Sequence, residues 1–357
     1  DNGTFIYTSR DIDITQAADN ARALTGMSGT VENNKLVFRD FKIDKYEFIN
    51  FVSISEYRSN CRVCVAFSYS RYENKDNYKL AERQRTIDDV HSAVVRIFRS
   101  ITGLALSANE LEVLALDISN QLEVENIRNY YNVLNLIYRA YKHINPNGRL
   151  YFDTDKEQRL ELDGLDFREQ GKKRREANAY FKIYSKRKEI EDTKGAAKAR
   201  GKRQALRGEL TLKGAMLKKY DLHIVGNIQK LALERVLKQV LGEIILDGIN
   251  RELEFDIAKL IAEYQVAGSK KIQEVTLMNL QYIFDIELLD RVITAENLGV
   301  APRTASYHKK NIKELLKVTE TKSEIKRVFS KNFERLAKLL KKIVKVDVKV
   351  EKGAIKW

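Results

Sequence analysis

The spacing of apolar residues changes near Tyr220, and this change constrains the fold more than any other feature of the chain. Before it, segments such as TFIYTSRDIDI, NKLVFRDFKI, EFINFVSISEY and CRVCVAFSYSRY are rich in β-branched and aromatic residues, which is typical of strands. After it, from Val225 to Leu340, apolar residues recur at helical spacing, as in NIQKLALERVLKQVLGEIIL. We therefore predict two domains, residues 1–222 and an all-α domain of residues 223–357.

Strands and helices mix irregularly within the first domain. A helix is predicted from Ile87 (IDDVHSAVVRIFRSITGL) and a second over Glu125–His143, with a buried strand LEVLALDISNQ between them. Strands at Leu150–Asp153, in NAYFKIYSK and in ALRGELTLK follow. This order favours an α+β fold, with an antiparallel-rich sheet and helices on one face. The C-terminal tail, KIVKVDVKVEKGAIKW, alternates Val and Ile with charged residues, which predicts an exposed or edge strand pair.

The charge of the chain narrows its partners. Its 357 residues carry a formal net charge of +14, which favours polyanions, nucleic acid first and an anionic membrane surface second. No apolar run approaches the roughly 20 residues of a membrane span, and no signal peptide opens the chain. The expected location is the cytoplasm, without membrane association.

The two cysteines, Cys61 and Cys64, are interpreted as structural. They form a lone Cys-x-x-Cys with no second pair or nearby histidine to complete a zinc site. On a strand, positions three apart also point to opposite faces. Two cysteines exclude a disulfide framework.

The segment AYFKIYSKRKEIED is the most informative for chemistry. As a strand it buries Phe181 and Ile183 on one face, and its other face carries Tyr180, Lys182, Tyr184 and Lys186, just ahead of Glu189. Phosphoryl transfer to a tyrosine needs a phenol near cations, with a carboxylate or a metal to manage protons and charge. The alternative is an ordinary exposed strand face, because Tyr and Lys are common there.

Two carboxylates interrupt apolar strands. They are Asp117 in VLALDI and Glu209 in LRGELTL. A charge in a buried strand is costly unless it is paired or coordinates a metal. Neighbouring carboxylates suit Mg²⁺ or Mn²⁺, whereas the alternative is salt bridges, with Arg207 an obvious partner for Glu209.

These motifs occur in an order that resembles the gene II replication protein family of filamentous phages, and more distantly the rolling-circle plasmid initiators. The matching pieces are SITGL, LEVLALDISNQLEVENI, YFKIYSKRKEIE and ALRGELTLKGAMLKKYDL, within roughly residues 45–222. The resemblance implies a metal-dependent tyrosine endonuclease, with Tyr184 as nucleophile supported by Lys186, Glu189 and Tyr180. It also implies a metal held by Asp117 and Glu209, and an Arg-x-Glu strand that closes the domain.

The chain departs from the wider nuclease superfamily in its histidines. Many members hold their metal with a His-hydrophobic-His motif, whereas the four histidines here are far apart in sequence: His91, His143, His223 and His308. Any metal site would therefore be led by carboxylates.

The segment ENLGVAPRTASYHKKNIKELL predicts a helix-turn-helix near residues 286–316. The helix IELLDRVI precedes a turn at Leu298-Gly299-Val300, and Pro302 stands near the start of a basic helix. Val300, Ala305 and Ile312 are predicted to pack inward. The predicted DNA-facing residues are Arg303, Thr304, Tyr307, His308 and Lys309. A short helical hairpin without DNA contact is the alternative.

Basic residues flank the tyrosine strand on both sides. Four consecutive cations precede it and are predicted to follow the phosphates of single-stranded DNA: Lys172, Lys173, Arg174 and Arg175. The run KGAAKARGKR at residues 194–203 is interpreted as a solvated linker.

The function predicted from these features is rolling-circle initiation, by nicking origin DNA through a 5′-phosphotyrosine intermediate. Expected partners are single-stranded and duplex origin DNA, with a host helicase and a second copy of the chain as further candidates. The alternatives are a relaxase that mobilises a plasmid or integrated element, and a non-catalytic DNA-binding regulator.

Overall fold

The structure is a computed structural model. It describes residues 2–39, 46–75, 78–81, 84–142, 149–154, 160–168, 178–322, 331–351 and 353–356. Within these ranges, no helix has the length and apolar character needed to cross a membrane.

Among the described residues, ten strands form one sheet, and two short strands form a hairpin near the C-terminus. The strands are β1 (Asn2–Ser9), β2 (Thr30–Glu32), β3 (Lys35–Arg39), β4 (Ile49–Tyr57), β5 (Asn60–Ser68), β6 (Glu112–Glu123), β7 (Arg149–Thr154), β8 (Leu160–Arg168), β9 (Ala179–Ser185), β10 (Ala205–Lys213), β11 (Lys349–Glu351) and β12 (Ala354–Lys356). The order in the sheet is β2-β3-β4-β5-β1-β6-β10-β9-β8-β7, and β11 pairs with β12.

The helices lie between these strands and throughout the C-terminal part. They are α1 (Ile14–Thr25), α2 (Tyr69–Asn74), α3 (Gln84–Thr102), α4 (Tyr131–Lys142), α5 (Lys186–Lys194), α6 (Ala196–Ala199), α7 (Gly214–Lys219), α8 (Lys230–Leu237), α9 (Glu243–Ala267), α10 (Ile272–Met278), α11 (Leu289–Val292), α12 (Ala295–Leu298), α13 (Pro302–Lys322) and α14 (Asn332–Leu339). The α+β prediction is confirmed, and so is the strand pair predicted in the tail.

The chain folds as two compact units, each built from several segments. Unit 1 comprises Asp1–Asn120, Gly171–Phe181 and Gly208–Leu237; unit 2 comprises Gln121–Gln170, Lys182–Arg207 and Lys238–Trp357. Unit 2 therefore combines residues from both sides of the predicted boundary at 222. The assignment of separate functions to residues 1–222 and 223–357 stays a prediction.

In unit 1, antiparallel hairpins build the sheet. β4 pairs with β3 and β5, and β1 pairs with β5 and β6. The β4–β5 turn places Arg58 and Ser59 at φ 49° and 61°, and Asn33 and Asn34 do the same between β2 and β3 at 48° and 61°. Two consecutive positive φ angles match the right-handed strand twist in two-residue hairpins.

Two helices cover this sheet from the same side, since α1 contacts β4, α3 contacts β5, and the two helices contact each other. The apolar residues that predicted α3 are all buried: Val90, Val94, Ile97, Phe98 and Ile101. The first helix was missed, because the predicted first strand ran on to Ile14. The structure ends β1 at Ser9, and the Asp13 side chain accepts a hydrogen bond from the Gln16 backbone N–H at 2.8 Å to start α1.

In unit 2, α4 packs closely on α9. A Cβ at Gly248 would lie 2.6 Å from the Ala140 carbonyl oxygen, so only glycine permits this approach. One helical turn away the Arg139 guanidinium donates to Glu252 at 2.9 Å and to both carboxylate oxygens of Asp256 at 2.9 and 2.8 Å. Burial raises the pKa of Asp256, although hydrogen bonding to Arg139 acts in the opposite direction.

Candidate active site and nucleic-acid interface

Tyr184 lies in unit 2 where strand β9 meets helix α5. Phe181 and Ile183 are buried on the opposite face of the strand, as alternation predicted, whereas Tyr184 is half-buried. The strand ends at Ser185, whose hydroxyl accepts a hydrogen bond from the Lys188 backbone N–H at 3.3 Å and caps α5. The nucleophile candidate therefore lies directly before the N-cap residue of a helix.

Two ammonium groups flank the Tyr184 ring. Lys182 Nζ lies 4.7 Å from the ring centroid and Lys186 Nζ lies 5.9 Å from it. Lys186 was predicted on the strand face, but it is the first residue of α5 and its side chain is 1% exposed. It forms an ion pair at 2.8 Å with Glu189, which lies in the first helical turn. Three predicted site residues, Tyr184, Lys186 and Glu189, are thus brought together.

Tyr180 lies in unit 1 and is 8% exposed. Lys213 Nζ lies 5.8 Å from the centroid of its ring. Its burial leaves Tyr184 as the more accessible of the two phenols.

Two neutral side chains in unit 1 donate hydrogen bonds to Asp117. The Thr211 hydroxyl donates to Oδ1 at 2.6 Å, and the Asn2 amide donates to Oδ2 at 3.1 Å. Thr211 was not predicted as a partner, although it follows Glu209 by two residues and so lies on the same face of β10.

Glu209 is buried at 5% exposure and lies on β10, the strand beside β6. Asp117 and Glu209 therefore lie on neighbouring strands of the sheet.

Within the described residues, no group of three or more His, Cys, Asp and Glu side chains is placed to hold a metal ion. Asp117 and Glu209 alone do not complete the six-oxygen shell that Mg²⁺ demands. Mg²⁺ or Mn²⁺ binding by these carboxylates stays a proposal.

The Arg207 guanidinium, the predicted alternative partner of Glu209, donates to Gln121 Oε1 at 2.8 and 3.2 Å within unit 2.

The Cys61 and Cys64 side chains are buried free thiols, and burial raises the pKa of each to about 11. Both are therefore protonated at neutral pH.

The segment predicted as a helix-turn-helix lies in unit 2. The four-residue helix α12 ends at Gly299, which adopts a left-handed conformation (φ 61°), and α13 begins at Pro302. Ala305 and Ile312 are buried, as predicted, and Val300 is half-buried. A short helix, a glycine turn and a long basic helix are present; their action as a DNA-binding helix-turn-helix stays a prediction.

The predicted DNA-facing residues of α13 differ in accessibility. Arg303 and Thr304 are exposed, and Tyr307 is 62% exposed. His308 and Lys309 are half-buried, and Lys309 Nζ forms an ion pair with Asp290 at 3.3 Å. Arg303, Thr304 and Tyr307 are consequently the most open to a phosphate backbone.

The connection after the tyrosine strand is helical, with α5 and α6 in place of much of the predicted linker at 194–203. The four cations before the strand, Lys172, Lys173, Arg174 and Arg175, lie outside the described residues.

Comparisons with known proteins identify no family for this chain. No family model and no curated protein matches the chain. Among solved structures, the di-domain ARO/CYC StfQ from the steffimycin biosynthetic pathway is 10% identical, with 70% of this chain and 95% of that chain covered and a TM-score of 0.20. A similarity at that TM-score carries no argument about fold or function.

Proposed function

We propose that this chain is a site-specific DNA-nicking and joining enzyme that starts rolling-circle replication, with Tyr184 as its nucleophile. The observation that carries the proposal is the setting of Tyr184: a half-buried phenol at a strand end, with ammonium groups 4.7 and 5.9 Å from its ring centroid. The half-buried Lys182 ammonium is proposed to neutralise a phosphodiester that approaches Tyr184, while Lys186 is buried and paired with Glu189.

The proposed reaction exchanges one phosphodiester for another. The Tyr184 oxygen attacks phosphorus, the bond from phosphorus to the 3′ oxygen breaks, and the phenol proton ends on that 3′ oxygen. The products are a 5′-phosphotyrosine diester and a free 3′-OH that can prime a polymerase. Attack of a 3′-OH on the diester reverses the step and joins DNA.

Each residue near Tyr184 has a distinct proposed role. Lys182 is half-buried and faces the incoming phosphate, whereas Lys186 is buried and held by Glu189. Glu189 therefore acts first as a positioning residue for Lys186. The exposed residues Arg303 and Tyr307 on α13 are proposed to hold the origin duplex through its phosphates.

A doubly labelled stem-loop oligonucleotide from the chain's own replicon tests the proposal. With Mn²⁺ present, the dye on the 3′ end should migrate with the protein on a denaturing gel, while the fragment with the 5′ dye is released. Retention of the 5′ dye instead would indicate a 3′ linkage and contradict the proposed polarity. Duplex binding without any adduct would favour the non-catalytic regulator.

A further inference from the structure

A pocket in unit 1, separate in sequence from the Tyr184 cluster, combines cations with aromatic rings. Its volume is about 400 Å³, within the range of roughly 300–1,000 Å³ typical of small-molecule sites. The lining residues are Tyr46, Glu47, Phe48, Arg71, Tyr72, Lys75, Ala93 and Arg96.

Three elements of unit 1 position this lining. Helix α2 supplies Arg71 and Tyr72, and Lys75 follows as its left-handed C-cap at φ 55°. Helix α3 supplies Ala93 and Arg96, three residues apart and therefore on one helical face. Phe48 lies just before β4, and its carbonyl accepts a hydrogen bond from the Ser68 backbone N–H at 2.8 Å.

The charge of the lining favours an anion. Among the described lining residues, the cations Arg71, Lys75 and Arg96 outnumber the one carboxylate, Glu47. In the part of the chain that the structure describes, none of the three cations forms an ion pair. An anionic ligand would therefore meet these cations without displacing a carboxylate of the described residues.

The aromatic part of the lining favours a flat ligand. The Tyr72 ring is 38% exposed and meets the buried Phe48 ring edge-on, with centroids 5.1 Å apart and an interplanar angle of 87°. This T-shaped contact fixes the orientation of the Tyr72 ring. A base that stacks on an aromatic ring beside phosphate-binding cations is the usual mode of single-stranded nucleic-acid binding.

We propose that this pocket binds one nucleotide unit, with the base stacked on Tyr72 and the phosphate held by Arg71 and Arg96. The inference does not depend on nicking by Tyr184. It assigns unit 1 a binding site of its own, and the ligand is either a segment of single-stranded DNA or a free mononucleotide.

Binding of a fluorescent eight-residue oligothymidylate to the full chain tests the proposal. Tyr72→Leu should weaken binding about fivefold or more. Tyr72→Phe should bind like the wild type, because stacking needs the ring and not the hydroxyl. The double variant Arg71→Ala/Arg96→Ala should reduce the steepness of the fall of log K with log salt concentration. The slope should change by about 0.7 for each phosphate that the variant no longer binds. Arg85→Ala, an exposed cation on the same helix α3, is the matched control and should change little.

Competition identifies the source of the nucleotide. Displacement of the oligonucleotide by thymidine monophosphate at similar concentration supports a free mononucleotide, whereas much tighter binding of the oligonucleotide supports a DNA strand. If a polyglutamate peptide competes equally and Tyr72→Leu has no effect, the pocket responds to charge alone and the proposal is wrong. Wild-type affinity in both the Tyr72→Leu and the double arginine variants would also overturn it. Since binding is the readout, a failure of nicking by Tyr184 leaves this test unaffected.

Discussion

The clusters of cations and carboxylates at Arg139 and at Tyr184, both in unit 2, differ in exposure. The Arg139 guanidinium is paired with Glu252 and Asp256 between α4 and α9, and both carboxylates are buried. Around Tyr184, the buried Lys186 pairs with Glu189, while Glu189, Lys182 and the phenol are half-buried. The first cluster therefore contributes to the fold, whereas the second is proposed to present a nucleophile and a cation to a ligand.

Substitution of the nucleophile should have the largest effect. Tyr184→Phe removes one hydroxyl from a half-buried side chain, so we expect nicking to fall by about 10⁴-fold or more. The free energy of unfolding should stay within about 0.5 kcal/mol of wild type. Tyr180→Phe is the matched control and should retain nicking; the reverse result would transfer the role to Tyr180.

Arg139→Met should have the opposite effect to Tyr184→Phe, because it should reduce stability and leave nicking unchanged. It leaves Glu252 and Asp256 buried without this cation, and urea denaturation should show a loss of about 3–5 kcal/mol. Nicking per folded molecule should be unchanged. Adding Glu252→Leu and Asp256→Leu should recover much of the stability, and no loss in the single variant would contradict a structural role.

A buried pair of neutral side chains in unit 1 can be compared with the buried charged cluster at Arg139. The Tyr69 hydroxyl lies 2.8 Å from His91 Nε2, and burial lowers the pKa of His91 from 6.5 to about 4. Between these pH values the unfolded histidine binds a proton and the folded one does not. The free energy of unfolding should therefore fall by about 3 kcal/mol as pH drops from 6.5 to 4. His91→Gln should lack this part of the pH dependence, and an unchanged profile would contradict a neutral buried His91.

Substitution of Lys182 should reduce catalysis more than stability, with a smaller effect on nicking than substitution of Tyr184. Lys182→Met removes a cation near the Tyr184 ring, and single-turnover nicking should slow by about 10²-fold, the usual cost of one group that stabilises a transition state. Lys194→Met, an exposed lysine on the same helix-strand segment, is the control. Equal rates in the two variants would remove Lys182 from the site.

The smallest effect is expected at α13. Arg303→Ala should make the slope of log K against log salt concentration for duplex binding shallower by about one unit, because one phosphate is no longer neutralised. Lys309→Ala should have less effect, because Lys309 pairs with Asp290. Unchanged affinity and slope for Arg303→Ala would favour a role of the C-terminal helices in assembly or helicase binding.

Local patterns predicted the local geometry. The alternation of Phe181, Ile183 and Tyr184 between strand faces follows from the two-residue period. The signals that bound α1 are also present in the sequence, because Asp13 is a favourable N-cap residue and Gly26 a favourable C-cap residue.

Partners distant in sequence could not be predicted in the same way. The bond from Thr211 to Asp117 depends on the register of β6 and β10, which no local pattern determines. The pairing of Lys309 with Asp290 likewise depends on how α13 packs in unit 2. Burial of Lys186 requires knowing that Ser185 caps a helix rather than continuing the strand.

The most direct test of Tyr184 as nucleophile is peptide mapping of the covalent DNA adduct. Trypsin cleaves after Lys182, so Tyr180 and Tyr184 fall in different peptides, residues 176–182 and 183–186. After nuclease digestion of the trapped adduct, the peptide Ile183–Lys186 should carry the mass of the attached nucleotide on Tyr184. Modification of the peptide with Tyr180, or of any other tyrosine, would contradict the assignment.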